Sequence, residues 1–140
     1  MISVEQSSRA SILVVDGDDS VLTLVHFCLK HAGYTVTSAR GREPVLSLLA
    51  SGSRFDLVIT DLLMPEIDGV EVIAATKVYQ PGAAILTMST GAHDLPGKLQ
   101  LRLPQSADIV PPMMKPFHLE ELLVTVERAL QRIEARAGRN

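Results

Sequence analysis

The chain has 140 residues, a formal net charge of −3 and 46% hydrophobic residues, so it can form one packed domain. It has no long basic run and only 4% aromatic residues, which argues against a nucleic-acid surface. No apolar stretch approaches the ~18 residues of a membrane span, and the polar first residues are not expected to act as a signal peptide. The single cysteine, Cys28, indicates a reducing, cytoplasmic setting.

Short apolar runs alternate with helical patterns along the chain. The runs predict strands at 12–15, 34–38, 57–60, 83–88 and 109–114. The helical patterns predict helices at 21–32, 44–50, 70–77 and 119–133. Between the fourth and fifth strands, residues 94–106 give a weak pattern that predicts a short or irregular helix. Strands that alternate with helices in this way indicate a doubly wound α/β sheet.

The predicted fifth strand contains Pro111-Pro112. Proline has no backbone N–H group to donate to a neighbouring strand, so it fits badly inside a paired strand. We therefore expect this strand to lie at an edge of the sheet or to contain a bulge.

Charged and hydroxyl side chains follow four of the predicted strands at the point where each strand ends. They are Asp16, Asp18, Asp19, Asp61, Ser89 and Lys115. Ligands of an open α/β sheet bind beyond the carboxyl ends of its strands, so these side chains are expected to converge. Carboxylates suit Mg²⁺, and a lysine offers a positive charge to phosphate. The pattern predicts a site for a hard cation and a phosphoryl group.

Three segments resemble the receiver domain of two-component response regulators. The strongest match is Asp56-Leu-Val-Ile-Thr-Asp61-Leu-Leu-Met64-Pro65-Glu-Ile-Asp68-Gly69. The others are Ile12-Leu-Val-Val-Asp16 and Lys115-Pro116-Phe117, with the small hydroxyl residue Ser89 between them in the expected order. By this resemblance, residues 1–10 are an N-terminal tail, 11–132 the receiver domain, and 133–140 the end of the last helix and a C-terminal tail.

The resemblance implies a flavodoxin-like fold with a parallel sheet in the order 2-1-3-4-5 and five helices on its two faces. It also implies that Asp61 is the phosphorylated side chain, that Ser89 contacts the phosphoryl group and that Lys115 pairs with it. The Lys115-Pro116 peptide bond would be cis. Lys115 would offset the repulsion between Asp16 and Asp61, and its removal would lower stability modestly at most.

The implied function is phosphorelay signalling without enzymatic turnover, apart from slow self-dephosphorylation. A sensor histidine kinase or a histidine phosphotransfer protein would donate the phosphoryl group. The output would be contacts with a downstream protein or a second copy of the chain, with no direct binding to nucleic acid or membrane.

The sequence departs from the family pattern at three places. Gly17 follows Asp16 where the family usually has a second acidic residue, so Mg²⁺ binding is expected to be weak. Asp61 and the main-chain carbonyl of Leu63 would remain as ligands, with Asp16 acting through water. Pro112 stands where receivers often have an aromatic switch residue, and two extra residues precede Lys115.

Three alternatives stay open from the sequence. Asp18 turned inward could replace the missing metal ligand. The chain could instead be a pseudo-receiver that binds partners without phosphorylation. Finally, Asp16-Gly17-Asp18 is similar to the nucleophile motif of haloacid-dehalogenase-type phosphatases, in which the first aspartate attacks phosphate and the second acts as acid and base.

Overall fold

The computed structural model describes residues 9–62, 64, 67–89 and 109–138, excluding the side chains of residues 109–112 and 134–138. Its elements are β1 (Ser11–Val15), α1 (Asp19–His31), β2 (Thr35–Ala39), α2 (Arg42–Ala50), β3 (Leu57–Asp61), α3 (Gly69–Tyr79), β4 (Ala84–Ser89), β5 (Ile109–Met114) and α4 (Leu119–Gly138). The five strands pair in parallel in the order β2-β1-β3-β4-β5, which confirms the predicted topology. The helix expected at 94–106 lies outside the described residues.

Strand β1 is buried on both faces of the sheet, since its alternate residues point to opposite sides and helices cover each side. Ile12 and Val14 of β1 pack in a cluster that includes side chains of α1 and α4. Leu13 and Val15 pack in a second cluster with side chains of α2 and α3. These four residues are fully buried. The all-apolar strand seen in the sequence therefore lies inside the sheet, with two helices packed on each side.

Aspartate side chains begin two of the helices on the side of the sheet where the strands end. Asp18 accepts a hydrogen bond from the backbone N–H of Ser20 at 2.8 Å and starts α1. Asp68 accepts one from the N–H of Glu71 at 2.8 Å and starts α3. Each cap satisfies a backbone donor that has no partner within its helix.

Helix α2 begins at Arg42, two residues before the predicted start at Pro44. The sequence-based boundary was too late because proline was taken as the first helical residue. Proline fits anywhere in the first turn, where the backbone N–H groups have no partner within the helix.

Strand β5 lies at an edge of the sheet and contains a bulge, as expected from Pro111-Pro112. Its pairing with β4 passes from Leu86–Val110 to Met88–Met113, so two residues of β5 lie opposite one residue of β4. The bulge accommodates one of the two extra residues that precede Lys115.

Among the described helices, none has the length of apolar sequence that a membrane span requires.

Candidate functional site

An ammonium group and two carboxylates meet at the carboxyl ends of the strands. Asp16 directly follows β1, Asp61 is the last residue of β3, and Lys115 directly follows β5. The Lys115 Nζ atom lies 2.7 Å from Asp16 Oδ2 and 3.2 Å from Asp61 Oδ2. The convergence predicted for these three residues is confirmed, and Lys115 bridges two strands that do not pair with its own.

Both carboxylates of this cluster are removed from solvent. Asp16 is 1% exposed and Asp61 is 7% exposed. Buried carboxylates need hydrogen-bonded or charged partners to stay ionised. Burial alone would lower the pKa of Lys115, but its hydrogen bond to Asp16 and the charges of Asp61 and Asp16 outweigh burial and raise that pKa. The lysine is therefore a fixed cation between the two aspartates.

Ser89 lies at the end of β4, one residue beyond the Met88 that pairs with Asp61. Its side chain is buried, and its carbonyl oxygen accepts a hydrogen bond from the backbone N–H of Lys115 at 2.6 Å. This bond fixes the chain where β5 ends and the bridging lysine begins. The Lys115-Pro116 peptide bond is cis, as the resemblance implied. Leu63, the expected carbonyl ligand, lies outside the described residues.

The carboxylate of Asp18, in the turn after β1, caps the start of α1. Asp16 Oδ1 accepts a hydrogen bond from the backbone N–H of Asp18 at 2.9 Å. The Asp18 side chain is exposed and is occupied as the cap of α1. The arrangement in which Asp18 turns inward to replace the missing ligand is therefore not the one that this structure adopts.

Mg²⁺ is commonly held by one or two carboxylates, with water completing an octahedral shell. Asp16 and Asp61 supply the two buried carboxylates that such a site needs. Gly17 adds no third carboxylate, and the described residues contain no cluster of three or more metal-ligating side chains. The two carboxylates fit a magnesium site in which water supplies most of the ligands. Both oxygens of Asp16 already accept hydrogen bonds, one from Lys115 and one from the Asp18 N–H.

Gly69 touches the site from the start of α3. A Cβ atom at this position would lie 2.7 Å from the carbonyl oxygen of Asp61 and 2.7 Å from the Cα of Leu62. Both atoms belong to the backbone, so neither can rotate away. The backbone N–H of Gly69 also donates to the carbonyl of Leu62 at 3.0 Å. The sequence places this glycine at the end of the motif that follows Asp61, but no sequence pattern indicates its close approach to the backbone.

We expect Gly69→Ala to destabilise the protein by about 1–3 kcal/mol, because the new methyl group must displace the backbone that carries Asp61. Chemical denaturation measures the change in unfolding free energy. The matched control is Gly82→Ala, since a Cβ at Gly82 meets nothing within 4 Å. Equal stability of the two variants would contradict the close approach at Gly69.

The fold and the site together define a doubly wound α/β domain with two buried carboxylates bridged by one lysine. A family model of the response regulator receiver domain matches residues 12–127. The chain therefore belongs to the response regulator receiver domain family. Receiver domains of this family are typically signalling modules without enzymatic activity of their own, and they usually bind Mg²⁺.

Curated relatives agree with this assignment. The chain is 32% identical over 126 residues to the alkaline phosphatase synthesis transcriptional regulatory protein PhoP of Bacillus subtilis (strain 168), covering 90% of this chain and 50% of that protein. It is 30% identical over 131 residues to the transcriptional regulatory protein FixJ of Bradyrhizobium diazoefficiens, covering 94% of this chain and 62% of that protein. The chain thus spans about half to three-fifths of these relatives.

Solved structures share the fold over nearly the whole chain. The signal receiver domain of an HD domain-containing protein from Pseudomonas fluorescens Pf-5 is 29% identical, with a TM-score of 0.80 and 94% of each chain covered. The chemotaxis response regulator CheY4 of Vibrio cholerae is 29% identical, with a TM-score of 0.72, covering 87% of this chain and 99% of that one.

Proposed function

We propose that this receiver domain accepts a phosphoryl group on Asp61 and transmits its state through protein–protein contacts. The donor is a sensor histidine kinase or a histidine phosphotransfer protein, and the target is a downstream protein or a second copy of the chain in the cytoplasm. The observation that carries the proposal is the Lys115 ammonium between two buried carboxylates. This cation stands where a phosphoryl group on Asp61 would bring further negative charge.

In this proposal a carboxylate oxygen of Asp61 attacks phosphorus, and the bond between phosphorus and the donor atom breaks. Lys115 offers the phosphoryl oxygens a charge-assisted hydrogen bond. Ser89, at the end of the neighbouring strand, is the hydroxyl residue that contacts the phosphoryl group. Mg²⁺, when bound, neutralises part of the negative charge that the reacting groups bring together.

A labelling assay with the small-molecule donor acetyl phosphate tests the proposal. Wild-type protein is incubated with the donor in the presence and absence of Mg²⁺, and incorporation of phosphate is followed over time. Stable label that increases with Mg²⁺ is the expected result. No label under any condition would contradict the proposal and favour the pseudo-receiver that binds partners without phosphorylation.

We expect Gly17→Asp to strengthen Mg²⁺ binding at least tenfold and to speed labelling. A charge pair ~4 Å apart is worth roughly 4 kcal/mol at an effective dielectric constant near 20. After most of this is offset by desolvation, about 1.4 kcal/mol still corresponds to a tenfold change in affinity. Gly17 is not among the described glycines with positive φ, so its backbone conformation is one that aspartate can adopt. A Mg²⁺ titration followed by calorimetry measures the affinity.

Gly17→Asn is the matched control, because it adds an oxygen ligand of similar shape without the charge. We expect its gain in Mg²⁺ affinity to be clearly smaller. Asp18→Ala is expected to leave Mg²⁺ affinity near the wild-type value, since Asp18 caps α1. Tight wild-type binding that Asp18→Ala destroys would instead show that Asp18 is the substitute ligand.

The phosphatase hypothesis has less support from the geometry. It needs Asp16 as the nucleophile and Asp18 as the acid and base, but Asp16 is more buried than Asp61, at 1% against 7% exposure, and lies closer to Lys115, at 2.7 Å against 3.2 Å. The carboxylate of Asp18 binds the start of α1. Nothing in that hypothesis uses Asp61, although Lys115 contacts both buried aspartates.

A further inference from the structure

Two arginines flank Gly41 where β2 ends and α2 begins, on the side of the sheet where the strands have their carboxyl ends. Arg40 Nη1 lies 2.9 Å from Asp19 Oδ2. Arg42 forms a bidentate ion pair with Glu71, in which Nη1 lies 2.6 Å from Oε2 and Nη2 lies 2.7 Å from Oε1. Gly41 between them has φ 93° and ψ 156°, a conformation that essentially only glycine adopts. We call residues 40–42 the arginine brace.

Each arginine of the brace binds a segment that is linked to one of the two site aspartates. Asp19 begins α1 and lies three residues after Asp16. Glu71 is in the first turn of α3, where its backbone N–H binds the Asp68 cap. The neighbouring Gly69 packs against the backbone of Asp61 and Leu62. The brace is therefore linked to the segments of both carboxylates without contacting the carboxylates themselves.

We propose that Arg42, through its forked pair with Glu71, is a positioning residue that holds the start of α3 and the backbone of Asp61 in the geometry needed for metal binding and phosphoryl transfer. The inference rests on the proposed function of Asp61. Arg40 supports the same loop from the α1 side, and its pair with the more exposed Asp19 has a single contact.

The Arg42–Glu71 pair has the geometry that makes a surface ion pair effective. Two parallel N–H···O bonds fix both the distance and the orientation of the partners. The Glu71 carboxylate raises the pKa of Arg42 through its hydrogen bond and its charge. Because both side chains are partly exposed, the pair contributes little to overall stability. Small displacements of a reactive group nevertheless slow a reaction strongly, so the effect should be seen in the site and not in the melting temperature.

The test compares Arg42→Gln, Glu71→Gln and the exchanged double variant Arg42→Glu with Glu71→Arg. Arg54→Gln is the matched control, since Arg54 pairs loosely with Asp56, at 3.8 Å, at the opposite end of the sheet. We expect labelling by acetyl phosphate to slow about fivefold in each single variant, because a small displacement of the reactive carboxylate slows phosphoryl transfer. The exchanged variant should regain most of the wild-type rate, and the control should match wild type.

Binding of Mn²⁺, measured as paramagnetic broadening of amide NMR signals, gives a second readout that does not need phosphorylation. Mn²⁺ affinity should fall about fivefold in Arg42→Gln at ~0.1 M salt, and the difference from wild type should shrink at ~1 M salt, where exposed pairs are screened. The melting temperature of each variant should stay within about 4 °C of the wild-type value, as expected for loss of one exposed ion pair.

The outcomes separate the inference from the proposed function. If wild type is labelled but Arg42→Gln matches it in both labelling rate and Mn²⁺ affinity, the positioning role is wrong and the function of Asp61 stands. If wild type is never labelled but Mn²⁺ affinity falls as expected in Arg42→Gln, the proposed function is wrong, but Arg42 still positions the carboxylates for metal binding. A loss that accompanies a large drop in melting temperature and is not restored by the exchange also overturns the inference.

Discussion

Asp61→Asn should abolish phosphorylation while leaving the fold intact. Asparagine has nearly the same shape as aspartate but lacks the nucleophilic carboxylate oxygen. The substitution also removes one of two buried carboxylates that share Lys115, so the remaining pair of Asp16 and Lys115 keeps its charge balance. Incorporation of label from acetyl phosphate is the measurement, with circular dichroism to confirm the fold.

Asp16→Asn is the matched control for this prediction. It makes the same chemical change in the same cluster, but at the carboxylate that our account assigns to the metal. We expect it to keep some label at high Mg²⁺ concentration, at a reduced rate. Label that survives in Asp61→Asn and disappears in Asp16→Asn would contradict our assignment and support the dehalogenase-type nucleophile at Asp16.

Lys115→Met should cost about 3 kcal/mol of unfolding free energy at neutral pH, because removing one partner of a buried ion pair leaves uncompensated charge. From the sequence we expected a modest effect at most. Burial of Asp16 and Asp61 at 1% and 7% exposure changes that expectation, since both carboxylates lose their shared cation. Urea denaturation in the absence of Mg²⁺ measures the loss.

The stabilisation from Lys115 has a defined pH dependence. Its folded pKa is raised from the ordinary value of 10.5, so its contribution is complete below that pH and is lost as pH rises through the folded value. Burial also raises the pKa of Tyr34, which makes stability fall in the same alkaline range. The difference between wild type and Lys115→Met isolates the lysine and should shrink above pH ~10.5.

Two comparisons check the size of the Lys115 effect. Lys30→Met removes an exposed lysine from the last turn of α1 and should change stability by about 0.5 kcal/mol at most. Adding Asp16→Asn to Lys115→Met should recover part of the lost stability, because it removes one of the orphaned charges. If Lys115→Met is as stable as Lys30→Met, the buried ion cluster does not exist in solution.

The architecture could be predicted from the sequence because strand and helix signals were local and consistent. The run from Ile12 to Val15 is apolar at every position, which fits a strand covered on both faces. Pro111-Pro112 predicted an edge strand or a bulge, because proline has no backbone N–H group for strand pairing. The start of α2 was missed by two residues, since several residue types are accepted in the first turn of a helix.

The site was predicted in part. Parallel strands bring their carboxyl ends together, so the meeting of Asp16, Asp61 and Lys115 followed from topology. The role of Asp18 did not, because a carboxylate after a strand can face a metal or cap a helix, and only the backbone path decides. The pairing of Arg42 with Glu71 was also missed, since 29 residues separate them and no local pattern links them.

The most direct test of the account is to map the phosphoryl group on wild-type protein. After reaction with acetyl phosphate and Mg²⁺, the acyl phosphate is trapped by borohydride reduction, which converts the modified aspartate to homoserine, and the digested peptides are sequenced by mass spectrometry. We predict that the modified residue is Asp61, in the peptide that carries the end of β3. Modification of Asp16 with Asp61 unmodified would contradict the account.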